Sequence, residues 1–348
     1  MDSRLVSIIE NDAQRILADA HLSEVAGKSI LVTGSSGLIG TYILATLREF
    51  SRSKHVPARV TALVQSEPNA QFKAILDFKG AQVVSGDITD PNFLHNLEKF
   101  DYIIHAAGYG QPGRFMEDPV KTISINTMST LALFDKLEAS GSFLFVSSSE
   151  VYSGLSAPPF RESEIGTTNT THPRSCYIEG KRCGEAICNA FRARGVKASS
   201  ARVALAYGPG TKPGDRRVMN TFIERGIMQD KITLQDMGTA KRTYCYVSDT
   251  VEILFHILLR GQAPIYNIGG FSRTTIAELA KEVGEYLGKP VKFPDDSQEL
   301  GGAPDDVYLD MSLVERDFRK SDYVPFNVGL AQTIEWQKAL YSEIGRYA

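Results

Sequence analysis

Tyr177 and Lys181, in the stretch SCYIEGKRCGEAI (175–187), stand four residues apart at the start of an amphipathic run. On a helix, positions i and i+4 share a face, so the ammonium would lie close enough to the phenol to act on it. A phenol with a pKa of about 10 is scarcely ionised at neutral pH, and a neighbouring positive charge favours its phenolate. A phenolate placed against a substrate hydroxyl is a general base. The same spacing decorates the polar face of many ordinary helices, so the pair becomes chemistry only if other elements bring reactants to it.

One such element is the turn in ILVTGSSGLIG, where Gly34, Gly37 and Gly40 follow an apolar β-type run and precede a helical one. A tight turn, a backbone without Cβ beside a pyrophosphate, and close helix-on-strand packing each require glycine, and the helix N-terminus favours the phosphate charge. In this strand-turn-helix setting the triplet reads as a dinucleotide site, with Leu38 and Ile39 in the same contact.

From residue 28 short β-rich runs alternate with helical ones, the signature of a parallel sheet covered by helices. The expected strands are SILVTG, RVTALVQ, AQVVSGD, YIIHAAG, SFLFVSSS and KASSARVALAYG, most of them apolar on both faces. TYILATLREF and TISINTMSTLALFDKLEA carry helix-compatible periodicity. After residue 207 the loop YGPGTKPGDRR leads into shorter alternating units. The expected fold is therefore α/β: a Rossmann-type doubly wound parallel sheet with a smaller C-terminal α/β substrate-binding lobe. Its divisions are an N-terminal helical extension over 1–27, a nucleotide-binding domain over 28–206 plus segments near 240–270, and a discontinuous substrate lobe within 207–348.

The bulk numbers fit this picture. With 348 residues, 43% of them hydrophobic and 23% charged, the chain can bury a large core. A net charge of -3 gives no electrostatic reason for a nucleic-acid partner. The first 26 residues carry acidic groups and no continuous apolar run, which argues against a signal peptide, and no stretch reaches the roughly 18 apolar residues of a membrane span. Leu5, Ile8, Ile9, Ile16 and Leu17 recur at near-helical spacing, as in a helix packed on the body of the protein. Cys176, Cys183, Cys188 and Cys245 form no metal-binding pattern, so no metal is expected; a reduced cytoplasm suits them, with Cys183 and Cys188 as packing residues.

The glycine spacing G-x-x-G-x-x-G resembles the extended branch of the short-chain dehydrogenase/reductase superfamily. The resemblance implies a cofactor site that includes Asp87 and Ile88 of SGDITD beside adenine, Ala106, Ala107 and Gly108 of HAAG beneath a ribose, and the asparagine Asn126. It gives Ser148, in FVSSSEVYS, the role of holding a substrate oxygen beside Tyr177, and lets Lys181 also hold the cofactor ribose. The acid that selects NAD is missing, because Val64 and Gln65 end the second strand. NAD is thus implied by analogy, with NADP left open by the residues themselves.

Within the branch, GRFMEDPVKTISINTMSTL, SSSEVYS, PRSCYIEGKRCGEAICNAF and KRTYCYVSD resemble the UDP-glucuronate decarboxylase (UDP-xylose synthase) group, from about residue 28 to 340. Nucleotide-sugar 4,6-dehydratases carry Asp-Glu after the strand-end serine, whereas this chain has Ser149 and Glu150. Without the acid, hydroxide is a poor leaving group. The resemblance also makes Arg217 and Arg242 contacts for a nucleotide-diphosphate sugar, and implies a homodimer. Two positions depart from it: Gly302 replaces an arginine, and Leu205 an asparagine. Transient C4 oxidation with decarboxylation leads, followed by 4,6-dehydration or epimerisation. Readings of another class are an NADPH-dependent reductase, marked by a cofactor that leaves on gel filtration, and a non-catalytic NAD(P) sensor.

Overall fold

The structure, a computed structural model, describes residues 3–53, 56–66, 70–294 and 306–345. The first strands are β1 (Ser29–Thr33), β2 (Arg59–Val64), β3 (Ala81–Ser85), β4 (Phe100–His105), β5 (Leu137–Ser148) and β6 (Lys197–Val203). They are followed by β7 (Leu205–Tyr207), β8 (Ile232–Thr233), β9 (Lys241–Tyr246), β10 (Ile265–Ile268), β11 (Ser272–Thr275), β12 (Val291–Lys292) and β13 (Asp306–Val307). A seven-stranded sheet runs in the order β10-β6-β5-β4-β1-β2-β3, with every pairing parallel. Strand order reverses between β1 and β4, the switch point at which such sheets open a crevice for a ligand.

Burial on both faces explains the apolar strands. In β1, Ile30 and Val32 point into one core while Leu31 points into the other, with Ile103 and Phe143. Each such side chain contributes roughly 1.5–3 kcal/mol. The Ser3–Ala20 helix belongs to the first core through Ile9, Ala13 and Ile16, and Leu5 packs on Trp336. Its polar groups are anchored as well: Asp12 accepts hydrogen bonds from Tyr42 Oη at 3.0 Å and Tyr246 Oη at 2.8 Å, and Arg15 pairs with Asp249 at 2.9 Å.

A second sheet, β11-β9-β13 with β7 paired to β9, starts where β6 leaves the first. It shares a separate core with the Val218–Met228, Ile276–Leu287 and Phe326–Glu343 helices, built on Phe222, Ile223, Leu279, Val283 and Ile334. Thr275 and Glu278 close the start of the middle helix with a capping box.

Four sequence expectations need correction. KASSARVALAYG is two strands in two sheets, β6 and β7, because the chain changes sheet at Ala204. TISINTMSTLALFDKLEA is two helices, Pro119–Asn126 and Met128–Phe134, broken at Thr127, and its end already belongs to β5. The seventh strand of the main sheet, β10, was absent from the expected strands, and its register with β6 places Asn267 beside Arg202. Cys183 is exposed rather than packed, whereas Cys188 is buried.

Candidate active site

The glycine turn forms one wall of a cleft of about 390 Å³. Gly34 has φ +66°, and a Cβ there would stand 2.4 Å from the Ala106 carbonyl oxygen, so only glycine lets the turn lie against the end of β4. Gly40 would likewise place a Cβ 2.5 Å from the Gly34 oxygen. The Gly37 N–H donates to that oxygen at 3.0 Å and closes the turn. Leu38 and Ile39 line the cleft beside the glycines, facing Asp87, Ile88, Ala106, Ala107 and Gly108, with Val64 and Gln65 at the end of β2. A bare glycine wall at a strand-helix junction fits a dinucleotide diphosphate.

Beneath the cleft a buried relay fixes the floor. His105 donates from Nε2 to the Ile125 carbonyl at 3.1 Å, so its neutral ring accepts at Nδ1 from the Thr33 hydroxyl, 2.8 Å away. Thr33 Oγ1 in turn accepts the Ala107 N–H at 3.1 Å. Burial, and then the charge of Lys181, hold the His105 ring neutral with a pKa of about 3. Partial burial pushes the Asp87 carboxyl up, but hydrogen bonds from Lys121 (2.6 Å) and Thr89 outweigh it and hold the group at about 2.

Ser148, at the end of β5, lies close enough to Tyr177 of the Ser175–Arg192 helix for its hydroxyl to favour the phenolate, while Ser148 Oγ accepts the Glu150 N–H at 3.2 Å. The helix comes this close because Gly184 faces β5 and Gly180 faces the Pro119–Asn126 helix. A Cβ on Gly184 would meet the Phe145 ring at 2.3 Å, and one on Gly180 would meet Asn126 at 3.3 Å. Lys181 is 4% exposed; its Nζ donates to the Val146 carbonyl at 2.8 Å and lies 5.6 Å from the Tyr177 ring centroid. A Cβ on Gly108 would be 3.7 Å from that Nζ, which ties the lysine to the cleft.

Burial dominates the electrostatics of the pair. It lowers Lys181 to about 7 against the opposing charge of Glu185. It raises Tyr177 to about 12, against the Ser148 hydrogen bond and helped by the Glu150 charge. The expectation paired the ammonium with the positive nicotinamide in favouring phenolate; among the protein's own groups, burial outweighs the contributions that lower the phenol.

Glu150 follows on a short turn after β5 and pairs with Arg174 Nη2 at 2.7 Å, while Ser149 lines a small pocket beside it. Arg174 begins the helix that carries Tyr177, and its Nε is buried without a hydrogen-bond partner. Phe115 stacks on the Tyr177 ring at 4.5 Å. Arg174, Phe115, Thr33, His105 and Lys121 were not singled out from the sequence. The arginine in PRSCY and the histidine in HAAG were the available signals, but their partners are distant in the chain.

Other expected residues are placed differently. Asn126 is wholly buried and does not line the cleft: its amide donates to the Thr122 carbonyl at 2.8 Å, and its Oδ1 has no partner. Arg217 does line the cleft but is clamped to buried Asp215, with Nη2–Oδ2 at 2.7 Å. Arg242 lies in β9, donating to the Lys241 carbonyl at 2.7 Å; its charge and that of Arg217 both act on Tyr244. Leu205 is half-buried against the second core, and Gly302 lies outside the described residues.

A doubly wound parallel sheet with a glycine turn at its switch point and a Ser-Tyr-Lys cluster beside it defines a dinucleotide-dependent enzyme of the Rossmann class. The chain belongs to the NAD dependent epimerase/dehydratase family, which matches residues 30–269, and NAD is its cofactor. It is 32% identical over 316 residues to UDP-glucuronic acid decarboxylase 6 of Arabidopsis thaliana, covering 85% of this chain and 90% of that protein. It is 27% identical to UDP-glucuronic acid decarboxylase 1 of Xenopus tropicalis, covering 90% of this chain and 73% of that one. Among solved structures, dTDP-glucose 4,6-dehydratase DesIV of Streptomyces venezuelae, with NAD bound, superposes with a TM-score of 0.78 at 25% identity, over 90% of this chain and 98% of that one. No helix among the described residues is long and apolar enough to cross a membrane.

Proposed function

We propose that the chain decarboxylates a UDP-glucuronate-like nucleotide sugar through transient oxidation at C4. The observation that carries this reading is the cluster at the end of β5: Ser148 beside Tyr177, Ser149 where a dehydratase would need an acid, and Glu150 next in line. The decarboxylase names of its relatives support the same assignment.

When bound, NAD supplies the redox chemistry by taking up and returning the C4 hydrogen. Ser148 holds the C4 oxygen, and Tyr177 takes the hydroxyl proton as phenolate, helped by the cationic nicotinamide and by Lys181. The C4 ketone makes the C5 carboxylate a β-keto acid. The C5–C6 bond then breaks, carbon dioxide leaves, and the electron pair passes to the C4 oxygen, held by Ser148 and Tyr177. A solvent proton adds at C5. Glu150 is the second acid/base or the group that distorts the ring, and Arg217 and Arg242 meet the diphosphate. Dehydration is disfavoured because the Ser149 hydroxyl is far too weak an acid to protonate a departing hydroxide as a carboxylic acid would.

The protein acts as a C2 homodimer in this proposal, paired through the exposed apolar face of Val120, Ile123, Met128 and Leu131. Incubation with NAD and UDP-glucuronate tests the reaction by mass spectrometry of the nucleotide products. A UDP-pentose is expected; a UDP-hexuronate of unchanged mass but inverted C4 would assign epimerisation instead.

A further inference from the structure

Charge in the cofactor cleft is not balanced evenly. Its lining holds the cations Arg114, Lys121, Lys212 and Arg217 and the acids Asp87 and Asp215. Lys121 is paired with Asp87 at 2.6 Å and Arg217 with Asp215 at 2.7 Å. Arg114, in the short Pro112–Glu117 helix, and Lys212, in the loop after β7, are left without an acidic partner among the described residues, although they stand about a hundred residues apart.

The same two segments converge on the glycine turn. Lys212 Nζ reaches Ser36 Oγ, inside the turn, at 3.3 Å. The Arg216 N–H donates to Gln111 Oε1 at 3.4 Å, joining the Lys212 loop to the segment that carries Arg114. Desolvation against the cleft wall, and then the charge of Arg114, pull the Lys212 ammonium below its ordinary range. Two like charges held together beside a phosphate-binding turn repel each other until an anion lies between them.

We infer that Arg114 and Lys212 form a two-cation clamp on the diphosphate of the bound dinucleotide, closing it against the glycine turn from the opposite side. The inference rests on the cleft being the NAD site. It adds to that site the residues that keep the cofactor in place, and it gives a role to the contact between the Gly-Pro-rich loop after β7 and the glycine turn. The diphosphate of a sugar nucleotide has the same chemistry, so the test separates the two sources.

Dissociation constants for NAD and, separately, for UDP would be measured by calorimetry on the full chain and its Lys212→Ala, Arg114→Ala and Lys212→Arg variants, at low and high salt. Both side chains are exposed, so unfolding temperatures should match the wild type. Each alanine variant is expected to bind NAD about tenfold or more weakly, as for loss of a charge-assisted hydrogen bond. Lys212→Arg should stay within a few-fold of the wild type, the alanine variants should lose part of the salt dependence, and UDP affinity should not move. Alanine variants that bind NAD like the wild type would overturn the clamp, as would weakened UDP binding with NAD unchanged. A wild-type chain that binds no NAD would instead overturn the assignment of the cleft.

Discussion

As the proposed base, Tyr177 would ionise in a place where burial opposes ionisation. With its phenol at about 12 and Lys181 at about 7, the protein's own groups favour a neutral phenol and, at neutral pH, a lysine only partly charged. In the proposed reaction, the added positive charge of the nicotinamide would shift the phenol toward phenolate. Tyr177→Phe should therefore lower kcat by about 10²–10⁴-fold while nucleotide-sugar binding is retained; near-normal turnover would remove Tyr177 from the chemistry. Glu150→Gln should let the C4-oxidised sugar accumulate, detectable by mass spectrometry, while carbon dioxide release falls. If both steps fail together, Glu150 has no separate late role. Ser148, Tyr177 and Lys181 could be picked out as candidates because a strand end and a one-turn helical spacing are local patterns, with the role of Ser148 supplied by the resemblance. Arg174 could not, since only the folded chain brings its guanidinium within 2.7 Å of Glu150.

The Ser175–Arg192 helix positions this chemistry because two of its residues lack a Cβ. Gly184→Ala would force a Cβ into the Phe145 ring and to 2.9 Å from the Asn126 carbonyl, an overpacking cost of about 1–3 kcal/mol that urea denaturation can measure. The same helix makes stability depend on pH. Between about 7 and the ordinary lysine value of 10.5, the unfolded chain holds a proton that folded Lys181 has lost. The contribution of this group to stability therefore rises with pH through that window and is lowest below about 7. Lys181→Met should be the more stable form at pH 6, with its advantage shrinking by pH 8.5; an advantage constant with pH would contradict the burial of a charged lysine. At this scale the sequence was less transparent. The apolar pattern runs unbroken through Thr127 and Ala204, with no Gly or Pro at either break, so tertiary packing alone splits the helix and moves the chain from one sheet to the next.

At the scale of the molecule, the parallel sheet and the helix periodicity could be read from the sequence, but the way its parts are joined could not. The Ser3–Ala20 helix is bound to distant segments through Asp12, Arg15 and the carbonyl of Leu5, which accepts from Trp336 Nε1 at 3.2 Å. No periodicity in the first residues reveals those partners. The exposed apolar face over Val120–Leu131 is the largest-scale expectation: wild-type protein should sediment as a dimer, and Met128→Glu with Leu131→Glu should sediment as a monomer. A wild-type monomer at micromolar concentration would leave that face without its assigned partner. The central claim is the reaction, and proton NMR of the protein with NAD and UDP-glucuronate in deuterated water tests it most directly. The expected result is a UDP-xylose signal carrying deuterium at C5. Unchanged UDP-glucuronate from protein that binds both NAD and the sugar nucleotide would contradict decarboxylation by this site.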